Sequence, residues 1–165
     1  MAKVIIALAN DISTDDIYPG RHMATVLPTE TPQFAFADRT DFNTRLKARE
    51  FPAGSIIVGG ENFGCGSSRE QACSTLKGYD VVVVAKSISR IFLQNSINLG
   101  LKVVLCPALE ASEGDELDIT DDTVINRTTG KQFAQVQMPA ARKGIMDAGG
   151  LIPYTRSLLK ARRPT

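Results

Sequence analysis

A layered α/β fold, with a mainly parallel central sheet and an antiparallel hairpin, is what this sequence of 165 residues predicts, on three observations. Four short runs, Val4-Ile5-Ile6-Ala7-Leu8, Ser55-Ile56-Ile57-Val58, Val81-Val82-Val83-Val84-Ala85 and Val103-Val104-Leu105, are apolar almost throughout and rich in β-branched residues. That is the pattern of strands covered on both faces. Helix-spaced stretches lie between the last three runs, with Gly78 and Gly100 as stops, so strand and helix alternate as a parallel sheet requires. Beyond residue 115 the pattern becomes apolar-polar alternation, the mark of a hairpin with one wet face.

Length and composition fit one domain spanning residues 1–165, able to bury roughly two thirds of its extended-chain surface without a covalent staple. With 43% hydrophobic and 22% charged residues and a formal net charge of +1, nothing argues for nucleic acid as a partner. The cluster Lys160-Ala161-Arg162-Arg163 reads as a solvated helix end that suits the dipole. No run reaches the ~18 apolar residues that cross a bilayer, and the expected location is cytoplasmic. Cys65, Cys73 and Cys106 form no Cys-x-x-Cys pair and no disulfide scaffold. Cys73 falls inside a helix and Cys106 at a strand end, which suits buried apolar roles better than ligation of an iron–sulfur cluster. A reactive Cys65 would need a depressed pKa, which the residues alone do not establish.

Taken in order, the first strand leads into Asn10-Asp11-Ile12-Ser13-Thr14-Asp15-Asp16, a polar loop ended by Pro19-Gly20. Aspartates in such loops ordinarily bond their own backbone. His22, the single histidine, has the tunable pKa of a catalyst, but a lone histidine is more often a packing or surface residue. Pro28, Pro32 and Pro52 interrupt the next stretch, and within Asp38–Glu50 the spacing of Phe42, Leu46 and Arg49 predicts a short helix, with a partner or lid surface as its other use.

The strand Ser55–Val58 then meets Gly59-Gly60-Glu61-Asn62-Phe63-Gly64-Cys65-Gly66-Ser67-Ser68-Arg69-Glu70, followed by a helix from Gln71 to Lys77. A glycine-rich loop at a helix start delivers backbone N–H groups and positive potential to one point, which suits an anion. Gly64 and Gly66 permit close approach, and Arg69 offers the fork that matches a carboxylate. The competing reading spends the hydroxyls on capping: Ser67 with Glu70, or Ser68 with Gln71, has capping-box spacing. No Gly-Lys-Ser/Thr follows, so this is not a P-loop, and the glycine spacing does not match a dinucleotide fingerprint.

Farther on, Ile88, Ile91 and Phe92 set a helix ended by Gly100. Glu116–Thr120 and Phe133–Gln137 alternate as the hairpin strands around a turn at Thr128-Thr129-Gly130-Lys131, with Asp121 and Asp122 read as solvated turn residues and not as metal ligands. Ala140–Arg163 reads as two helical pieces separated by Gly149-Gly150 and Pro153.

The string Gly60-Glu61-Asn62-Phe63-Gly64-Cys65-Gly66-Ser67-Ser68-Arg69-Glu70 resembles the signature of the swivelling domain of the aconitase superfamily, in the form of a separate small subunit of the 3-isopropylmalate dehydratase or homoaconitase type. Thr14-Asp15-Asp16-Ile17-Tyr18-Pro19-Gly20, Ser89-Arg90-Ile91-Phe92 with Asn95, Asn98 and Gly100, and Gly149-Gly150-Leu151 extend the resemblance over most of the chain. It implies the swivelling-domain β/β/α layering, and hydro-lyase chemistry in which Ser67 is the base and Arg69 stabilises it. It also implies that Ser68, Arg69 and the Gly66 backbone hold a substrate carboxylate, and that Asp15 supports the Arg and Ser groups with Tyr18 beside it.

A mobile loop of about residues 20–35, beginning at Arg21, is implied to read the substrate's variable side chain. Ala24 stands where a homoaconitase-like chain places an arginine, so the third substituent is expected to be apolar or small unless Arg21 or His22 substitutes. The implied cofactor is a [4Fe-4S] cluster on a separate large subunit, without which this chain is expected to be inactive. Interconversion of 2- and 3-isopropylmalate in leucine biosynthesis is the first expectation. A dimethylmalate- or citraconate-type substrate, homoaconitate, and a non-catalytic anion-binding module of the same fold follow.

Overall fold

The computed structural model describes residues 1–161, so Arg162 and Arg163 of the basic cluster lie outside the described residues. Its centre is a seven-stranded mixed sheet in the order β4-β3-β2-β1-β5-β6-β7. The parallel half comprises β1 (Ala2–Ala7), β2 (Ile56–Gly59), β3 (Val82–Ala85) and β4 (Lys102–Leu105). The antiparallel half comprises β5 (Glu116–Ile119), β6 (Thr123–Asn126) and β7 (Gln132–Ala134). They join where β1 pairs with β5, Ala2 opposite Leu117.

Alternation along the parallel strands feeds two apolar cores, because successive side chains leave a strand on opposite faces. Ile5, Ile57, Val83 and Val103 face the helical layer with Leu76 and Phe92, whereas Val4, Ile56, Val58 and Val84 pack with Leu109, Leu117 and Val124. The second group shows how the antiparallel half covers the other face and makes a β/β/α stack. Each fully buried Phe or Ile contributes on the order of 2 kcal/mol by transfer alone.

The helices are α1 (Thr14–Ile17), α2 (Thr40–Lys47), α3 (Glu70–Lys77), α4 (Arg90–Leu99), α5 (Ala140–Asp147) and α6 (Leu151–Ala161), with 3-10 turns at Gly20–His22 and Thr31–Phe34. Several expectations are corrected here. The hairpin is a three-strand meander, because Val124 and Ile125 form β6 between the Asp121-Asp122 turn and the Thr128–Lys131 turn. Pro153 does not separate helical pieces: it is the third residue of α6, where its missing N–H has no intrahelical partner to lose. Arg49 lies beyond α2 with φ of 54°, its guanidinium over the Tyr79 ring at 4.7 Å. Gly78 does end α3, though with φ of −63°; the residue is small because an added Cβ would sit 2.3 Å from Pro32 Cγ.

Candidate functional site

The polar groups converge just outside the carboxyl ends of β1, β2 and β3, where open parallel sheets characteristically place their ligands. The segments that follow these strands are laced together. Thr14 N–H donates to Cys65 O at 2.7 Å, Gly64 N–H to Ile12 O at 2.7 Å, and Phe63 N–H to Ser87 O at 3.0 Å. Asn62 N–H donates to Ser87 Oγ at 2.7 Å, and the Asn62 amide to Asp11 Oδ1 at 2.8 Å.

Within this frame the loop from Gly60 to Arg69 is held open by two glycines. Gly64 has φ of 75°, and a Cβ there would lie 2.2 Å from Phe92 Cγ; Gly66 has φ of 94°. Ser89 both caps α4 and donates to Gly64 O at 2.6 Å, so the start of α4 and the loop are positioned together.

The capping reading of the loop hydroxyls is overturned. The N-cap of α3 is Arg69, with φ of −65° and ψ of 109° and no side-chain cap hydrogen bond, so neither Ser67 nor Ser68 is used on the helix. Both serines are exposed. Ser67 is steadied by Thr14, which is buried: Ser67 N–H donates to Thr14 Oγ1 at 3.2 Å, the Thr14 hydroxyl reaches Ser67 O at 3.2 Å, and Ser67 Oγ lies 3.4 Å away. Ser68 O accepts from the Asn95 amide at 3.5 Å.

Arg69 is only 17% exposed and forms an ion pair with Asp15 Oδ1, which also accepts from Gly20 N–H at 3.0 Å. The hydrogen bond from Arg69 is the main reason the Asp15 carboxyl lies below its ordinary value of 3.8, with the Gly20 N–H adding to it. Arg69 Nη1 also lies 3.4 Å from Tyr18 O. An arginine fixed in place on one side presents its remaining donors without the entropy of a free side chain.

The other expected site residues are placed differently. Tyr18 meets this group only through its carbonyl; its side chain is fully buried and its hydroxyl donates toward His22 O at 3.0 Å and Thr25 O at 3.2 Å. Arg21 is engaged with Asp38 through contacts of 2.6 and 3.2 Å. Ala24 is exposed. His22 packs, stacking on Phe34 with ring centroids 4.0 Å apart, and partial burial lowers its pKa below 6.5, with Arg21 adding to the effect. Thr14 and Ser89 were not singled out from the residues, although a threonine beside the Asp15-Asp16 pair and a serine four residues beyond a strand end were both visible in the sequence.

The three thiols do not assemble. Cys73 is buried in α3 with its pKa pushed up to about 12 by desolvation, Cys106 is buried beyond β4 with its pKa raised for the same reason, and Cys65 lies half-buried in the loop. Among the described residues no group of three or more His, Cys, Asp or Glu is placed to hold a metal. An iron–sulfur cluster thus finds no ligand set among them. No described helix is long and apolar enough to cross a membrane.

Cavity size points elsewhere. A hollow of about 440 Å³ lies between β4, the end of β5, residues 135–138 and α5, and neither Ser67 nor Ser68 lines it. Beside the loop there is a shallower depression of about 320 Å³, lined by Asn62, Gly64, Cys65, Gly66, Ser89, Arg90 and Ile91. The hollow of about 440 Å³ is lined by no arginine and lacks the set of loop N–H groups, hydroxyls and fixed guanidinium that converges at the loop.

Comparison with known proteins adds independent findings. The profile of the aconitase C-terminal domain matches residues 23–107. The 3-isopropylmalate dehydratase small subunit of Methanosarcina mazei is 41% identical over 158 residues, covering 93% of this chain and 94% of that protein. The isopropylmalate/citramalate isomerase small subunit of Methanocaldococcus jannaschii is 40% identical over 153 residues, covering 89% and 88%. A crystal structure of 3-isopropylmalate dehydratase from Methanocaldococcus jannaschii superposes with a TM-score of 0.83 at 32% identity, covering 98% of both chains.

Proposed function

The chain belongs to the aconitase C-terminal domain family, and on that premise we propose that it is the small subunit of a hydro-lyase that interconverts 2- and 3-isopropylmalate by dehydration and rehydration. The observation that carries this reading is the exposed Ser67 hydroxyl, free of any capping duty, beside the Arg69–Asp15 pair at the carboxyl ends of three parallel strands.

In this reading Ser67 Oγ removes the proton from the carbon next to the carbinol carbon and returns one on rehydration. A serine hydroxyl is far too weak a base alone, so the reading requires positive potential and N–H donors around it, which Arg69 and the α3 N-terminus supply. The Ser68 hydroxyl and the outward donors of Arg69 hold a substrate carboxylate, while Asp15 keeps the guanidinium aimed. Thr14 holds the backbone on which Ser67 stands. A [4Fe-4S] cluster borne by a large subunit would supply a Lewis acid for the hydroxyl group, and the chain contributes the other half of the site.

The substrate's third substituent is read as apolar. Ala24 brings no charge, Arg21 is already engaged with Asp38, and His22 lies stacked on Phe34, so the segment from Arg21 to Thr25 offers a further carboxylate no free cation. This disfavours homoaconitate. A methyl in place of the isopropyl group is a second reading, favoured by the relative named for both isopropylmalate and citramalate.

The test is to co-express the chain with a cluster-bearing large subunit, reconstitute anaerobically, and measure hydration of isopropyl- and methyl-substituted maleates. Activity is expected only from the pair of subunits and is expected to collapse in Ser67→Ala. Turnover by the isolated chain, or full activity in that variant, would contradict the assignment. Copurification from the native source would identify the partner.

A further inference from the structure

We propose that Tyr18 is a latch, a positioning residue that holds Arg21–Thr25 in the shape that meets the substrate's third substituent. What that segment faces rests on the functional reading above; what holds it is geometry. Tyr18 is fully buried and so touches no substrate. Its single hydroxyl proton is shared between His22 O at 3.0 Å and Thr25 O at 3.2 Å, the two carbonyls that bracket Met23 and Ala24.

Aromatic packing acts at the same place. The Tyr18 ring meets His22 edge-on at 6.4 Å and Phe34 at 6.1 Å, and His22 lies flat on Phe34 at 4.0 Å, so Tyr18 and Phe34 form a corner that receives the imidazole. On the flank Arg21 is tied to Asp38. The whole excursion from Tyr18 to Ala35 is drawn together at its neck by Phe36 N–H donating to Ile17 O at 2.8 Å, with Phe36 in a left-handed conformation at φ of 50°. Beside the exposed Arg21, the side chains left outward here are Met23, Ala24, Val26 and Leu27, with Met23 41%, Val26 63% and Leu27 53% exposed. A segment tied inward by backbone carbonyls and polar side chains, and apolar outward, presents a preformed hydrophobic contact. The ordering cost has been met before the ligand arrives.

The experiment uses Tyr18→Phe, which keeps the ring and removes the hydroxyl. In the full chain, amide exchange at Met23 and Thr25, which donate to Gly20 O and His22 O, should speed up roughly five- to tenfold. Exchange in β2 should be unchanged. In the complex with the large subunit, KM for isopropylmaleate should rise roughly five- to tenfold with kcat held within about twofold, as expected when uniform binding is lost. The preference for isopropylmaleate over methylmaleate should narrow. Unchanged exchange at Met23 and Thr25 would overturn the latch. Faster exchange with an unmoved preference, or an equal fall in kcat for both alkenes, would overturn its link to specificity. If Tyr18→Phe fails to fold, Phe34→Leu removes the surface on which His22 stacks and is read by the same measurements. Failure of the functional reading would show separately, as an unmutated complex that hydrates neither alkene.

Discussion

Strands β1–β4 and β5–β7 belong to one sheet, yet the two halves are used differently. All of β2 and most of β3 are buried, and the segments leaving β1, β2 and β3 are bound to one another, so their polar side chains arrive at one place. The β5–β7 meander is less buried, with half-buried and buried positions alternating in β6 and no buried position in β7, and charged groups on it pair locally across the surface, as in Asp118 with Arg127 at 2.6 Å and Asp121 with Lys143 of α5 at 2.7 Å. Parallel strands need long crossover connections that all leave from the same end, and those departures can build a site; a meander returns by short turns and builds a cover. The hollow of about 440 Å³ borders this cover.

The sharpest way to break this contrast is Ser67→Ala against Thr120→Ala. The first should lower kcat of the reconstituted complex by about 10²- to 10⁴-fold, the range of a lost general base, at unchanged melting temperature. The second should leave kcat within error. Equal effects would erase the distinction between the halves.

A stability comparison isolates packing from backbone strain. Gly64 and Gly130 have nearly the same φ, 75° and 77°, but a Cβ at Gly64 meets Phe92 at 2.2 Å whereas Gly130 has nothing within 4 Å. Gly130→Ala should cost about 1 kcal/mol, the strain of an L-residue at positive φ. Gly64→Ala should add roughly 1–3 kcal/mol for overpacking and disturb the loop as well. Urea midpoints at constant m-value measure both.

A smaller effect separates two depressed carboxylates. The pKa values of Asp15 and Asp118 both lie below 3.8, each chiefly through a hydrogen bond from an arginine, so the stability each contributes is present above pH 3.8 and is lost as pH falls below it. Asp15→Asn and Asp118→Asn should each flatten the loss of stability between about pH 4 and 2. Only Asp15→Asn should raise KM, by several-fold, because only that partner arginine faces the proposed ligand.

The parallel half was legible because its strands are apolar at nearly every position, a pattern that leaves no choice of face. Strand β6 was not, since Val124 and Ile125 make too short a run between two turn signals to announce a strand. In the site, the loop and its Ser67-Ser68-Arg69 group were visible as a motif, but whether the hydroxyls cap the helix was not: capping-box spacing is present, and only the Arg69 backbone angles exclude it. Tyr18 was legible as a neighbour of Asp15 and not as a buried ring, because loop residues carry no periodicity that tells inward from outward.

The sheet also bends round until its ends approach: Val136 N–H donates to Leu105 O at 2.8 Å, and Cys106 Sγ lies 3.5 Å from Ala134 O. Open sheets ordinarily offer two unpaired rims on which a foreign strand can grow, the usual seed of fibres. Here the rims are turned partly toward each other, so neither is left as a full open edge on which a second copy of the chain could lay a strand.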